Sequence, residues 1–146
     1  MSRIETEIAI ASAPHEVWRL LTDFAHYGDW NPFISKIDGE PALGAKIKVH
    51  VKALGLPPMP LDAEIVTFEP EREIVWRSGL FTKGLFDRDH IISLMPTAGG
   101  CTVKQIQTFE GPMASTAAIL GEGPVRHGLT RMNDALKAKA EGVRPA

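Results

Sequence analysis

Arg88 and His90 stand two residues apart in the run Phe86-Asp87-Arg88-Asp89-His90-Ile91-Ile92-Ser93-Leu94. Side chains alternate between the faces of a strand, so Arg88 and His90 share the face of Phe86, Ile92 and Leu94. If those apolar members face an interior, a guanidinium and an imidazole face it with them. Such a pair could hold an anionic or phenolic ligand, or His90 could act as a general base on an acidic C–H. The plainer reading makes His90 a satisfied core histidine and Arg88 a residue of the cavity mouth. Lining is favoured over catalysis, because ionisable groups in a pocket indicate function only statistically.

The segment Val103-Lys104-Gln105-Ile106-Gln107-Thr108-Phe109 offers a second set. Gln105 and Gln107 share the parity of Val103 and Phe109, and buried amides need partners. Bound water or a ligand carbonyl or hydroxyl could supply them equally well. Thr102, Lys104, Ile106, Thr108 and Glu110 take the other parity and are expected to face solvent. Trp30, Phe33, Trp76, Phe81 and Phe86 could stack on a flat ligand, although most aromatic residues are plain core. Trp30, in the Pro-bounded segment Tyr27-Gly28-Asp29-Trp30-Asn31-Pro32-Phe33, is the one expected to line an opening.

Asp23, His26 and Asp29 bring carboxylates and an imidazole together at spacings of three. The same spacing is ordinary for a solvated helix end, and no second His or Cys set accompanies it, so no metal is expected. Cys101 follows a Gly-Gly turn without a nearby histidine and is not expected to be a nucleophile. There is no phosphate loop, nucleophile elbow or dinucleotide fingerprint, so no cofactor is expected.

The elements that must position these groups follow from periodicity. Ile4, Thr6, Ile8 and Ile10 alternate with Glu5 and Glu7, which makes a half-buried first strand. Ser12 or Ala13 caps a helix that Pro14 opens, with Val17, Leu20, Leu21 and Phe24 at helical spacing to about Asp23. Short strands follow around residues 34–39, 47–51, 61–65 and 73–78. A loop spans Gly55 to Pro60, where prolines cannot donate to a ladder. A long strand of about 84–95 turns at Thr97-Ala98-Gly99-Gly100 and returns from Cys101 to Gly111. Val125, Leu129, Met132 and Leu136 form one face of a C-terminal helix. An earlier helical turn, about 113–120, is expected to be kinked or interrupted at Gly121-Glu122-Gly123-Pro124. The fold class is therefore α+β: a curved antiparallel sheet of about seven strands wrapped around a long C-terminal helix, with two short helices after the first strand. One domain is expected over 1–140, with a loose tail over 141–146.

Several of these segments occur together: Ala13-Pro14-His15-Glu16-Val17-Trp18, Trp30-Asn31-Pro32-Phe33, Gly84-Leu85-Phe86-Asp87 with His90, Phe109-Glu110-Gly111, and Met132-Asn133-Asp134-Ala135-Leu136-Lys137. In this the chain resembles the START-like, helix-grip superfamily, and within it the polyketide cyclase/dehydrase-related branch. The resemblance covers nearly the whole chain. It implies an internal cavity for a small apolar or aromatic molecule or a lipid, and carries over no catalytic residue. The superfamily includes lipid and hormone binders as well as cyclases, so the fold does not fix the function.

Bulk composition narrows the classes. The 146 residues are 44% hydrophobic and 23% charged, with a formal net charge of -2, enough for a packed core and without the basic footprint of a nucleic-acid binder. No run approaches the length of a membrane span, and a single cysteine implies no internal disulfide. A cytoplasmic protein is expected, and a homodimer stays open. Three functions compete. A binding module would use Trp30, Phe33, Trp76, Phe86, Arg88, His90, Gln105, Gln107 and Met132 as its lining. A cyclase or dehydratase-like enzyme would use His90 and Arg88. An interaction module would use the apolar loop from Leu54 to Leu61.

Overall fold

The computed structural model describes residues 2–52, 57–79, 87–110 and 114–142, the side chains of 2 and 114–122 excepted. Alternation does form the first strand, β1 (Ser2–Ile10), with Ile4 and Ile10 buried and Glu5 and Glu7 outward. The chain turns at Ala13, whose extended backbone is the helix cap. Pro14 then starts α1 (Pro14–Thr22), which buries Val17, Trp18, Leu20 and Leu21. Neither candidate cap makes a side-chain bond to the helix, so the proline alone marks its start. A 3-10 turn, Phe24–Asp29, supplies the second short helix.

Six strands follow: β2 (Ile34–Asp38), β3 (Lys46–Val51), β4 (Met59–Glu69), β5 (Glu73–Gly79), β6 (Asp87–Thr97) and β7 (Gly100–Glu110). They form one antiparallel sheet in the order β1-β7-β6-β5-β4-β3-β2. Successive strands from β2 to β7 are neighbours, and β1 adds to the far side of β7. The sheet curls around α2 (Ala114–Ala140). Leu129, Met132 and Leu136 of α2 have no exposed surface, and Val125 is half-buried at the margin of the same face. The helix is fastened along β1. Lys137 Nζ donates to the Ala9 carbonyl at 3.1 Å and Arg126 Nη1 to that of Glu5 at 3.2 Å. The expected curved sheet gripping a C-terminal helix is therefore the observed architecture.

Three local expectations are corrected. α2 runs continuously through Pro124 and is not interrupted at 121–124. A proline removes one hydrogen bond and crowds the carbonyl four residues earlier, and the buried face that follows offsets this loss. β4 begins at Met59, so Pro60 belongs to a strand and not to the loop. Pro60 pairs with His50 of β3, and among the described residues the β4–β5 pairing begins at Ala63. Finally, Ile106 and Thr108 point outward but are buried. Both lie on a central strand, flanked in the sheet by Glu5 and Ile91 for Ile106 and by Arg3 and Asp89 for Thr108.

One glycine is set by packing. A Cβ on Gly128 would lie 2.3 Å from the Phe33 ring, so the bare helix backbone there is what admits the ring. Among the described residues no helix is long and apolar enough to cross a membrane.

Candidate functional site

β6 carries the site because its register is unbroken. Between Asp87 and Ser93 every residue pairs in sequence with β5 and with β7. No bulge flips the later side chains, so Arg88, His90, Ile92 and Leu94 all face inward. On the outer face Asp89 accepts two hydrogen bonds from Arg77, at 2.8 and 3.0 Å. His90 lies between Trp76 of β5 and Gln107 of β7. Arg88 lies between Ser78 and Phe109.

The inner face holds two polar pairs. In the first, His90 Nε2 lies 2.8 Å from Gln105 Oε1. Gln105 Nε2 donates to Asn133 Oδ1 of α2 at 2.7 Å, and Asn133 Nδ2 donates to Thr6 Oγ1 of β1 at 3.0 Å. The Thr6 hydroxyl donates to the main-chain carbonyl of Gln105 at 3.2 Å. The His90 ring also packs against Trp76, centroids 4.8 Å apart. Burial lowers the His90 pKa to about 4, with Arg88 adding to the effect and the Gln105 hydrogen bond opposing it. The imidazole is neutral at physiological pH.

The second pair is Arg88 with Gln107. With the Gln107 amide oxygen toward the guanidinium, the orientation that satisfies both groups, it accepts from Arg88 Nη2 at 2.7 Å and from Nε at 3.0 Å. The guanidinium lies 6.0 Å from the centre of the Phe109 ring. Arg88 keeps some exposed surface, yet desolvation of its head pulls its pKa to about 10, so it stays cationic. No carboxylate pairs with it among the described residues, whereas the cations of the outer face are matched: Lys46 with Glu64, Lys48 with Asp62 and Arg77 with Asp89.

Arg88, His90 and Gln107 border one internal cavity with Phe33, Trp76 and Ser78. Its volume is about 10 Å³, room for roughly one water. Of the residues that parity placed around one space, Arg88, His90 and Gln107 line it and Gln105 does not; Phe33 and Trp76, two of the aromatic residues expected to stack on a flat ligand, line it as well. Gln105 supports the site from behind through its bond to His90. Met132 is fully buried in the core and is not among the described residues of the lining. Trp30 is not among them either. It packs on Tyr27 at 5.3 Å and borders a separate surface depression with Arg19, Asp23, His26, Asp29 and Lys139. The tight turn at Asn31, whose Oδ1 accepts from the N–H groups of Phe33 and Ile34, sends Phe33 inward and leaves Trp30 outside. Phe81 and Phe86 lie outside the described residues, as does the 53–56 part of the apolar loop.

His26 Nδ1 lies 2.9 Å from the Asp23 carboxylate, and that hydrogen bond raises its pKa in an exposed position. Among the described residues no three His, Cys, Asp or Glu side chains are grouped to hold a metal ion. Cys101 is fully buried and burial raises its pKa, so it is a core thiol. Asn133, Thr6 and Ser78 were missed by sequence reasoning. A signal existed for the first: Asn133 sits between Leu129 and Leu136 on the apolar stripe, where an amide must find a partner.

A family model described as polyketide cyclase / dehydrase and lipid transport matches residues 1–141. Solved structures share the fold. One is protein MLL2253 from Mesorhizobium loti, with 21% identity and a TM-score of 0.76 over 99% of this chain and 100% of that one. Another is the Zhui aromatase/cyclase from Streptomyces sp. R1128, with 18% identity and a TM-score of 0.76 over 96% and 93%. A third is the di-domain aromatase/cyclase StfQ of the steffimycin biosynthetic pathway, with 17% identity and a TM-score of 0.74 over 96% of this chain and 51% of that one. No curated protein sequence matches the chain.

Proposed function

We propose, from the premise that this chain belongs to the polyketide cyclase/dehydrase and lipid transport family, that it binds a small apolar or aromatic molecule whose single polar group is held by Arg88. The observation that carries this reading is the Arg88 guanidinium: desolvated, turned inward, and without an anionic partner among the described residues. An inward cation is costly unless something compensates it. One glutamine oxygen does so in part, and a ligand phenolate, carboxylate or hydroxyl would complete it. Phe33 and Trp76 supply apolar walls.

The closed volume adds a condition. Among the described residues the space measures about 10 Å³, so a ring-sized ligand needs lining side chains to move aside, and binding spends part of its free energy there. An enzymatic reading, with His90 and Arg88 as acid–base partners, is less well supported. A general base works best with a pKa near the operating pH, and His90 lies near 4. The binding reading includes a cytoplasmic location.

Thermal shift and fluorescence titration with flat aromatic acids, phenols, fatty acids and neutral sterols test this directly. We expect a phenolic or acidic aromatic compound to stabilise the protein, and Arg88→Ala to weaken its binding at least tenfold. Binding that ignores Arg88→Ala would show the arginine to be structural.

A further inference from the structure

We infer that the closed cavity is a hydroxyl-recognition subsite whose donor–acceptor polarity is set by Asn133, a positioning residue acting through Gln105 and His90. This rests on the reading that the cavity takes a ligand, and adds the chemical group it takes.

The argument starts from the one member of the chain that cannot turn over. The main-chain carbonyl of Gln105 only accepts, so the single hydroxyl proton of Thr6 is committed to it. Thr6 Oγ1 must then accept from Asn133, which places the Asn133 amide nitrogen on Thr6 and its oxygen on Gln105. Gln105 in turn donates to Asn133 and presents its oxygen to His90. That oxygen accepts only, so His90 Nε2 carries the proton. A neutral imidazole has one N–H, and Nδ1 is left as a bare acceptor. Reversing one amide alone would set lone pair against lone pair or proton against proton in a buried site, and reversing both would take the Thr6 proton off the Gln105 carbonyl.

Nδ1 has no hydrogen bond among the described residues. Arg88 gives two of its five N–H groups to Gln107, and the other three have no partner among the described residues. Both side chains border the same cavity of about 10 Å³. In this inference the Nδ1 lone pair and the remaining guanidinium N–H groups are the acceptor and the donor that meet at this small space. A hydroxyl satisfies both, accepting from Arg88 and donating to Nδ1. An ether or ketone oxygen satisfies Arg88 alone and turns lone pairs toward Nδ1. The aromatic walls make a phenol the fitting class.

The test uses the whole chain labelled with ¹⁵N-histidine, and phenol and anisole as probes followed by NMR titration. In the ligand-free protein at neutral pH the His90 spectrum should be that of the Nε2–H tautomer. Phenol should bind at least about tenfold tighter than anisole, the loss expected when a buried acceptor is left unpaired. His90→Phe should bring the two affinities together. Asn133→Ala should release the Gln105 amide, so that the Nδ1–H tautomer appears and the preference for phenol falls. Asn133→Asp, which keeps the acceptor facing Gln105, should restore the Nε2–H tautomer. A simple packing role for Asn133 would move stability without moving the tautomer, and that result overturns its positioning role. An Nδ1–H tautomer or an imidazolium in the wild-type protein, or equal binding of phenol and anisole, overturns the subsite. If no aromatic probe binds while the Nε2–H tautomer is in place, the binding function itself fails and the subsite with it.

Discussion

Gln105 and Gln107 are the same residue type, two apart on β7, both inward and both without meaningful exposure. Gln105 is closed off by the protein, since His90, Asn133 and Thr6 occupy its neighbourhood and the chain of hydrogen bonds ends in a backbone carbonyl. Gln107 is engaged by Arg88, whose remaining donors border the cavity. The difference comes from the helix. α2 brings Asn133 over Gln105, and among the described residues no helix side chain bonds Gln107. Among the described residues, then, one buried glutamine is tied into a network that spans sheet and helix, and the other meets a guanidinium at the cavity.

The comparison can be broken most severely at Gln105. Gln105→Leu leaves the His90 N–H and the Asn133 oxygen buried without partners, each at a cost of about 1–3 kcal/mol, so urea unfolding should show a loss of about 2–6 kcal/mol. A loss under 0.5 kcal/mol would mean that this chain is not what holds the helix on the sheet.

Acid should expose the same region next. The folded-state pKa of His90 is lowered from 6.5 to about 4, so between those values the unfolded chain binds the proton and the folded protein does not. Stability is then complete above about pH 6.5 and falls as pH drops toward 4, by about 3 kcal/mol at 1.36 kcal/mol per pKa unit. The lowered carboxylates Glu5, Glu16, Asp38 and Glu141 act mainly below that window, and exposed His26, with its raised pKa, acts in the opposite sense. Urea midpoints measured from pH 7 to pH 4.5 should fall steeply in the wild type and more gently in His90→Gln. Parallel curves would place the acid sensitivity elsewhere.

The smallest effect is expected at the open pair. Arg88→Met keeps the aliphatic stem beside Phe109 and removes a desolvated charge, so stability should stay within about 1 kcal/mol of the wild type or rise. Chemical denaturation that shows Arg88→Met to be as damaging as Gln105→Leu would erase the distinction between the two pairs.

The sequence by itself determined the inner face of the sheet. The alternation of β1, β6 and β7 and the stripe Leu129-Met132-Leu136 are written in local spacing, because the side-chain periods of strand and helix are fixed by backbone geometry. That was sufficient to turn Arg88, His90, Gln105 and Gln107 inward. It was insufficient for Trp30, whose direction depends on the Asn31 turn, and for Pro124, whose cost is offset by packing that no local window contains. It also left Gln105 and Gln107 equivalent. Only the tertiary structure separated them, and only it shows the space of about 10 Å³ that the described residues leave beside Arg88. The partner of a buried amide, and the space left beside it, depend on which residue a distant element lays across it. Asn133 stands 28 positions from Gln105 and 127 from Thr6 in the chain. No periodicity records that meeting; it exists only once helix and sheet have packed.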